Sequence, residues 1–172
     1  MKTIKILASV LVLSVIPFIN SAYSQSNTTY DFLNLDAGAR PASLGGAFSS
    51  NTNDVLSVFY NPAAISTLKK TQATVGFYKY LLDINAGNLA YAQKLKNSGF
   101  VSGGLRYINY GSFEKYNEQS ENVGTFSSNE LAISLGYSNS YKDQFHYGVN
   151  TKFIYSGIDE YSSTALAFDL GV

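Results

Sequence analysis

Residues that could do catalytic chemistry are few in this chain. His146 is the only histidine among the 172 residues and there is no cysteine, which excludes thiolate metal sites and disulfides. The sequence has no Gly-x-Ser-x-Gly nucleophile elbow, and the glycine pairs at 45–46 and 103–104 are too sparse for a phosphate-binding loop. We therefore expect no enzyme, metal or cofactor site, and interpret His146 as one polar residue on a strand face.

Charged side chains are the remaining candidates for a site. Three glutamates at positions 114, 118 and 121 lie in a predicted polar loop and lack the aspartate-rich spacing of a calcium-binding loop. Four other charged residues alternate in sign along the chain, within stretches of alternating hydrophobicity: Arg106, Glu130, Lys152 and Asp169. Whether these four can meet depends on the strands that carry them.

The chain after Thr71 predicts a series of β-strands. It contains no proline, and turn signals recur at short intervals, so we predict six strands at about 71–82, 86–95, 100–111, 126–138, 145–156 and 163–172. Each has near ten residues, the length that a tilted strand needs to cross a bilayer, whereas soluble strands more often have five or six. Apolar and polar residues alternate, most clearly where Leu131, Ile133, Leu135 and Tyr137 oppose Glu130, Ala132, Ser134 and Gly136.

The connections between strands favour a membrane barrel over a secreted β-sandwich, the alternative with the same alternation. The turns at 97–99 and 141–144 are tight, while 112–125 is predicted as a long acidic loop. Transmembrane barrels have short periplasmic turns, longer outer loops and aromatic girdles, and the 14 tyrosines and 11 phenylalanines cluster near strand ends. The fold class predicted is all-β, an antiparallel transmembrane β-barrel. Six strands cannot close a barrel, so we expect an incomplete N-terminal portion.

The four charged residues are expected to line the inner wall of that barrel. A lipid-facing Arg or Lys at mid-depth would cost about 2–4 kcal/mol, so the apolar face of each strand is assigned to lipid. If each charged residue lies opposite the next one along the chain, the midpoints of the three connections fall near residues 118, 141 and 160–161, each within a predicted loop. The residues in order are Arg106, Glu130, Lys152 and Asp169. We predict a lateral charge ladder whose pairs are directly opposite or one diagonal apart; four unrelated charges are the alternative.

The first 24 residues have the layout of a secretory signal peptide. Lys2 and Lys5 precede an apolar run from Ile6 to Ile16, and small residues at 22 and 24 favour cleavage before Gln25. A membrane-anchoring helix, the alternative, needs roughly 20 apolar residues. The mature chain would carry ten basic and twelve acidic residues, 10 − 12 = −2, so no basic excess favours nucleic-acid binding.

Residues 31–66 do not resemble a barrel strand. Residues 31–48 are rich in small side chains, which suits a compact segment packed inside a barrel. Asn61 and Pro62 predict a helix start, with Asn61 as cap and Pro62 at the first position; a plain capped turn is the alternative interpretation. We predict a plug-like segment at 25–70, partly helical near 62–66, followed by barrel strands at 71–172.

Three short blocks in this segment carry a resemblance to a known family: Gly38-Ala39-Arg40, Leu44-Gly45-Gly46 and Tyr60-Asn61-Pro62-Ala63. In this order, behind a signal peptide, they resemble the PorV/PorQ family of outer-membrane proteins, within the wider FadL-like barrel group. The resemblance is specific over residues 30–66. In the remainder it is limited to the general pattern of aromatic strands.

The resemblance implies a fourteen-stranded barrel with an N-terminal plug, in the outer membrane of Bacteroidetes-like bacteria. It implies a non-enzymatic role in protein export and surface attachment by the type IX secretion system. Expected partners are outer-membrane lipid and either other secretion-system proteins or exported cargo. A FadL-like channel for hydrophobic small molecules is the alternative, and the residues themselves do not separate the two functions.

Overall fold

A computed structural model of the protein describes residues 30–80, 83–96, 98–142 and 144–172. The predicted signal peptide lies outside these residues, so cleavage before Gln25 stays a prediction. The described residues begin with four short helices: 3-10 helices at Asp31–Asn34, Val55–Phe59 and Pro62–Thr67, and one α-helix, α1, at Ala39–Ser43. No helix within the described ranges is long and apolar enough to cross a membrane.

Six antiparallel strands follow the helices and form one sheet in the order of the sequence. Their bounds are β1 Gln72–Lys79, β2 Asn85–Lys94, β3 Phe100–Tyr116, β4 Asn122–Tyr141, β5 Phe145–Ile158 and β6 Tyr161–Gly171. Each strand pairs with the next through a hairpin, and β1 and β6 are the two edges of the open sheet. The predicted number, order and antiparallel pairing of the strands are confirmed.

The connection between β3 and β4 corrects the sequence prediction. Residues 112–125 were expected to be a loop, but β3 continues to Tyr116 and β4 begins at Asn122. A bulge near Gly111 shifts the register between Asn109 and Ser112, and the rings of Phe113 and Phe126 stack at 5.3 Å. Cross-strand aromatic pairs stabilise a ribbon, so the acidic residues lie on an extended hairpin.

The hydrophobic core lies between the sheet and the N-terminal segment, the name used below for residues 30–71. One cluster joins Val55, Val58 and Ile65 to Ala90 and Phe100 on the sheet. A second cluster is built around Phe32, which packs with small and branched residues of four strands: Ala86, Ile108, Ala132 and Ile154. Full burial of a large apolar side chain contributes roughly 1.5–3 kcal/mol, so these contacts fix the segment on the sheet.

Candidate functional site: the two faces of the sheet

One face of the sheet, the apolar face, carries a continuous row of large side chains across all six strands. The strand registers place these residues side by side: Val75, Leu89, Leu105, Ile133, Phe153 and Leu166. Val75 is 78% exposed and Leu166 is 67% exposed. Soluble proteins rarely expose a contiguous apolar surface of this kind, so this face requires an apolar neighbour.

Aromatic residues border the apolar row toward the hairpin of β3 and β4. The adjacent row contains Phe77, Tyr107 and Tyr155, and the next row on the same face becomes polar, with Lys79, Asn85, Asn109, Asn129 and Ser162. Toward the opposite, tight-turn end, Phe145 and Tyr147 stack at 6.4 Å. The apolar face is therefore a band with aromatic residues at both borders.

The other face, the packed face, lies against the N-terminal segment, and two glycines allow close approach. A Cβ atom at Gly148 would lie 2.5 Å from the carbonyl carbon of Pro62, and one at Gly104 would lie 2.6 Å from the ring of Phe59. Both distances are too short for any side chain. The sequence indicated no packing role for either glycine, although each occupies the small-residue face of an alternating strand.

The family-motif residues organise the segment itself. Arg40 Nη1 lies 2.7 Å from Asp54 Oδ2, which ties α1 to the 3-10 helix at Val55–Phe59. Gly45 and Gly46 have φ angles of +61° and +76°, a region that favours glycine. The other residues of the first two blocks lie at the two ends of α1. Gly38 and Ala39 begin the helix, the exposed Leu44 follows its last residue, and Gly46 ends the turn after it.

Asn61 caps a helix as the sequence predicted. Its side chain accepts a hydrogen bond from the Ala63 amide at 3.0 Å, and Pro62 is at the first helical position, although the helix is of the 3-10 type. Its Nδ2 also donates to the Ser49 carbonyl oxygen at 3.0 Å. The Asn-Pro-Ala block thus holds the backbone that contacts Gly148.

Tyr60 links the motif blocks from within the segment. Its hydroxyl accepts a hydrogen bond from the Ala37 amide at 2.9 Å and donates to Asp36 at 3.3 Å. Burial raises the pKa of the Tyr60 hydroxyl, so the group stays protonated and can serve as donor and acceptor at once.

The four predicted ladder residues all lie on the packed face, but they do not form a continuous ladder. Lys152 Nζ and Asp169 Oδ2 form an ion pair at 2.8 Å, one diagonal apart in the register. Arg106 is one diagonal from Glu130, yet it donates to the carbonyl oxygens of the N-terminal segment at Leu33 and Leu35. Only the last of the three predicted pairs is thus joined by an ion pair.

The middle pair of the ladder is prevented by the register of β4 and β5. Glu130 lies opposite Ser156, whereas Lys152 lies opposite Ser134, so the two are 156 − 152 = 4 residues apart along β5. Glu130 instead accepts hydrogen bonds from Tyr110 at 2.6 Å and Ser156 at 3.1 Å. The sequence prediction placed the centre of the turn between β4 and β5 two residues too early. Because both strands are paired about this centre, the register changes by twice as much, four residues.

His146 is on the packed face near the tight turns. Its Nδ1 lies 2.6 Å from the Ser66 hydroxyl, so the ring fixes the end of the helix Pro62–Thr67 to β5. In the described part of the chain, no three His, Cys, Asp or Glu side chains converge as metal ligands would.

The family of the chain follows from its comparison with known proteins. A family model described as type IX secretion system protein PorV matches residues 20–172, which include the three motif blocks and all six strands. No curated protein and no solved structure matches the chain. The family match confirms the PorV part of the resemblance, while the wider FadL-like grouping stays a prediction. The chain belongs to the PorV family of type IX secretion system proteins.

Proposed function

We propose that this chain forms part of the wall of an outer-membrane β-barrel and acts in type IX protein export by binding, without catalysis. The observation that carries the proposal is the contrast between the two faces of the sheet. Large apolar side chains are exposed on one face, while Asn150 and Ser134, each no more than 2% exposed, lie on the other. A soluble sandwich would bury its apolar face instead.

The dimensions of the apolar band support a membrane location. On β5 the band runs from Tyr155 to Phe145, ten residues apart, or about 34 Å along the strand at roughly 3.4 Å per residue. A strand tilt of about 40° would reduce this to about 26 Å, close to the apolar band of about 25 Å on known outer-membrane barrels. The aromatic residues at both borders match the interfacial girdles of such barrels.

The N-terminal segment supports the plug interpretation of residues 25–70. Its described part covers the packed face, and its contacts combine apolar burial with polar ties such as Asn150 to Val58. In a closed barrel the packed face would be the inner wall, so the segment would occupy the lumen. Partners in export would then contact the barrel at its two rims or at its outer wall within the bilayer.

The membrane location can be tested by fractionation of the source bacterium. We expect the protein in the outer-membrane fraction after a sodium carbonate wash, with an N-terminus at or within about two residues of Gln25. A control is the Asn85→Arg variant, which adds a charge in the polar row and should fractionate as the wild type. Recovery of the wild-type protein in the soluble fraction would overturn the proposal.

The role in export requires a separate experiment. A deletion strain should lose surface display of type IX cargo and regain it with the wild-type gene, while growth on long-chain fatty acids stays unchanged. Normal display of cargo in the deletion strain, together with loss of fatty-acid uptake, would reject the secretion role in favour of a solute channel.

A further inference from the structure

A cavity of about 790 Å³ lies where the strands end in tight turns. Its walls come from the ends of β2 to β5, from the last turn of the helix Pro62–Thr67 with Leu68 and Lys69, and from Thr52 and Asn53. Ligand sites in proteins have volumes of about 300–1,000 Å³, so the space is sufficient for a small polar molecule or for the head group of a larger one.

The described residues that line this cavity carry positive charge and no negative charge. Lys69, Lys94 and Lys96 line it together with His146, and none of the described lining residues is an aspartate or glutamate. The ion pairs that the described residues form involve other lysines and arginines. Lys69, Lys94 and Lys96 are all exposed, and like charges that line one cavity repel each other, so an anion bound there would lower the electrostatic energy.

Ser66, Thr67 and His146 form hydrogen bonds in the wall of the cavity. The Ser66 hydroxyl donates its single hydrogen to the Ala63 carbonyl oxygen at 2.8 Å. In the contact between Ser66 and His146 at 2.6 Å, the imidazole Nδ1–H is therefore the donor. In this tautomer of the neutral ring Nε2 is an acceptor, which can take the hydrogen of a P–OH group. The Thr67 hydroxyl is likewise bonded to the main chain.

We propose that this cavity binds a phosphate-bearing ligand through Lys69, Lys94, Lys96 and His146. A phosphomonoester carries about −1.5 to −2 charges and three strong acceptor oxygens, which matches several separate donors better than a single carboxylate does. Lysine binds phosphate as a point charge that carries three hydrogen-bond donors. The site does not depend on the membrane location of the sheet, and its ligand can be a soluble phosphate ester or a lipid phosphate.

Two matched triple variants of the full-length protein test the site. The variant K69Q/K94Q/K96Q removes the three cavity lysines, and K70Q/K79Q/K142Q removes three exposed lysines that do not line the cavity. Both lose the same charge, so a nonspecific electrostatic effect would weaken binding equally. Circular dichroism in detergent micelles should give the same strand content for both variants and the wild type.

The probes are inorganic phosphate, dihexanoyl phosphatidic acid and a tetraglutamate peptide, each titrated calorimetrically. We expect both phosphate compounds to bind the wild type and the control, and to bind the cavity variant at least about tenfold more weakly. Tighter binding of phosphatidic acid than of inorganic phosphate would assign a lipid ligand; equal or weaker binding would assign a soluble ester. No phosphate binding, an equal loss in the control, or tighter binding of tetraglutamate would overturn the proposal.

Discussion

The guanidinium of Arg106 on β3 is hydrogen-bonded to the main chain of Leu33, with 2.7 Å between Nη1 and the carbonyl oxygen. A second bond of 3.2 Å reaches the carbonyl oxygen of Leu35, and the ring of Phe59 covers the cation with its centroid 4.5 Å away. Arg106 is only 7% exposed. One buried cation of the sheet therefore holds two parts of the N-terminal segment.

Replacing Arg106 by methionine should release this part of the segment. Its removal leaves two carbonyl groups without their donor, and hydrogen bonds to charged groups contribute about 1.5–3 kcal/mol each. We expect a loss of about 2–4 kcal/mol in the free energy of unfolding and faster proteolysis within residues 31–36. Arg40→Met, which breaks an ion pair whose arginine side chain is 60% exposed, should cost less than about 1 kcal/mol. Equal effects of the two substitutions would contradict the account.

Gly148 should not tolerate alanine, because a Cβ atom there would overlap the backbone of Pro62 at 2.5 Å. Overpacking typically costs about 1–3 kcal/mol, and we expect Gly148→Ala to fall in that range in urea unfolding. Gly103, on the apolar face, has no atom nearer than 3.8 Å to such a Cβ, so Gly103→Ala should be nearly neutral. If both variants unfold like the wild type, the segment does not pack as closely as described.

The register of β4, β5 and β6 can be tested by double-mutant cycles. Lys152→Met combined with Asp169→Asn should give a coupling free energy of about 1 kcal/mol, since the pair is partly buried at 2.8 Å. Lys152→Met combined with Glu130→Gln should be additive within about 0.5 kcal/mol. The reverse order of the two couplings would favour the continuous ladder instead.

These cases illustrate what the sequence could and could not predict. Alternation of apolar and polar residues was sufficient to predict the six strands, because side-chain direction in a strand follows a period of two. It also predicted that the four charged residues share one face: Arg106, Glu130, Lys152 and Asp169. The partners of Arg106 could not be predicted, because main-chain oxygens leave no signal in a sequence. The hairpin was misread because acidic residues suggested a loop, whereas Phe113 and Phe126 stack across it.

The apolar face can be tested with a single charge at two depths of β2. Leu89 belongs to the central row and Asn85 to the polar row on the same face. Leu89→Arg should destabilise the protein in bilayers by about 2–4 kcal/mol, while Asn85→Arg should cost about 0–1 kcal/mol. The measurement is urea unfolding from phospholipid vesicles. Comparable stability of the two variants would mean that this face does not contact lipid.

We propose that the exposed apolar face contacts lipid while the packed face does not, and β4 offers the most direct measurement. The chain has no cysteine, so single cysteines at 132, 133, 134 and 135 can each carry one spin label in bilayers. We predict that labels at Ile133 and Leu135 collide frequently with oxygen and rarely with a polar nickel chelate. Labels at Ala132 and Ser134 should be shielded from both, giving a period of two. Frequent collision with the nickel chelate at Ile133 and Leu135 would contradict the account.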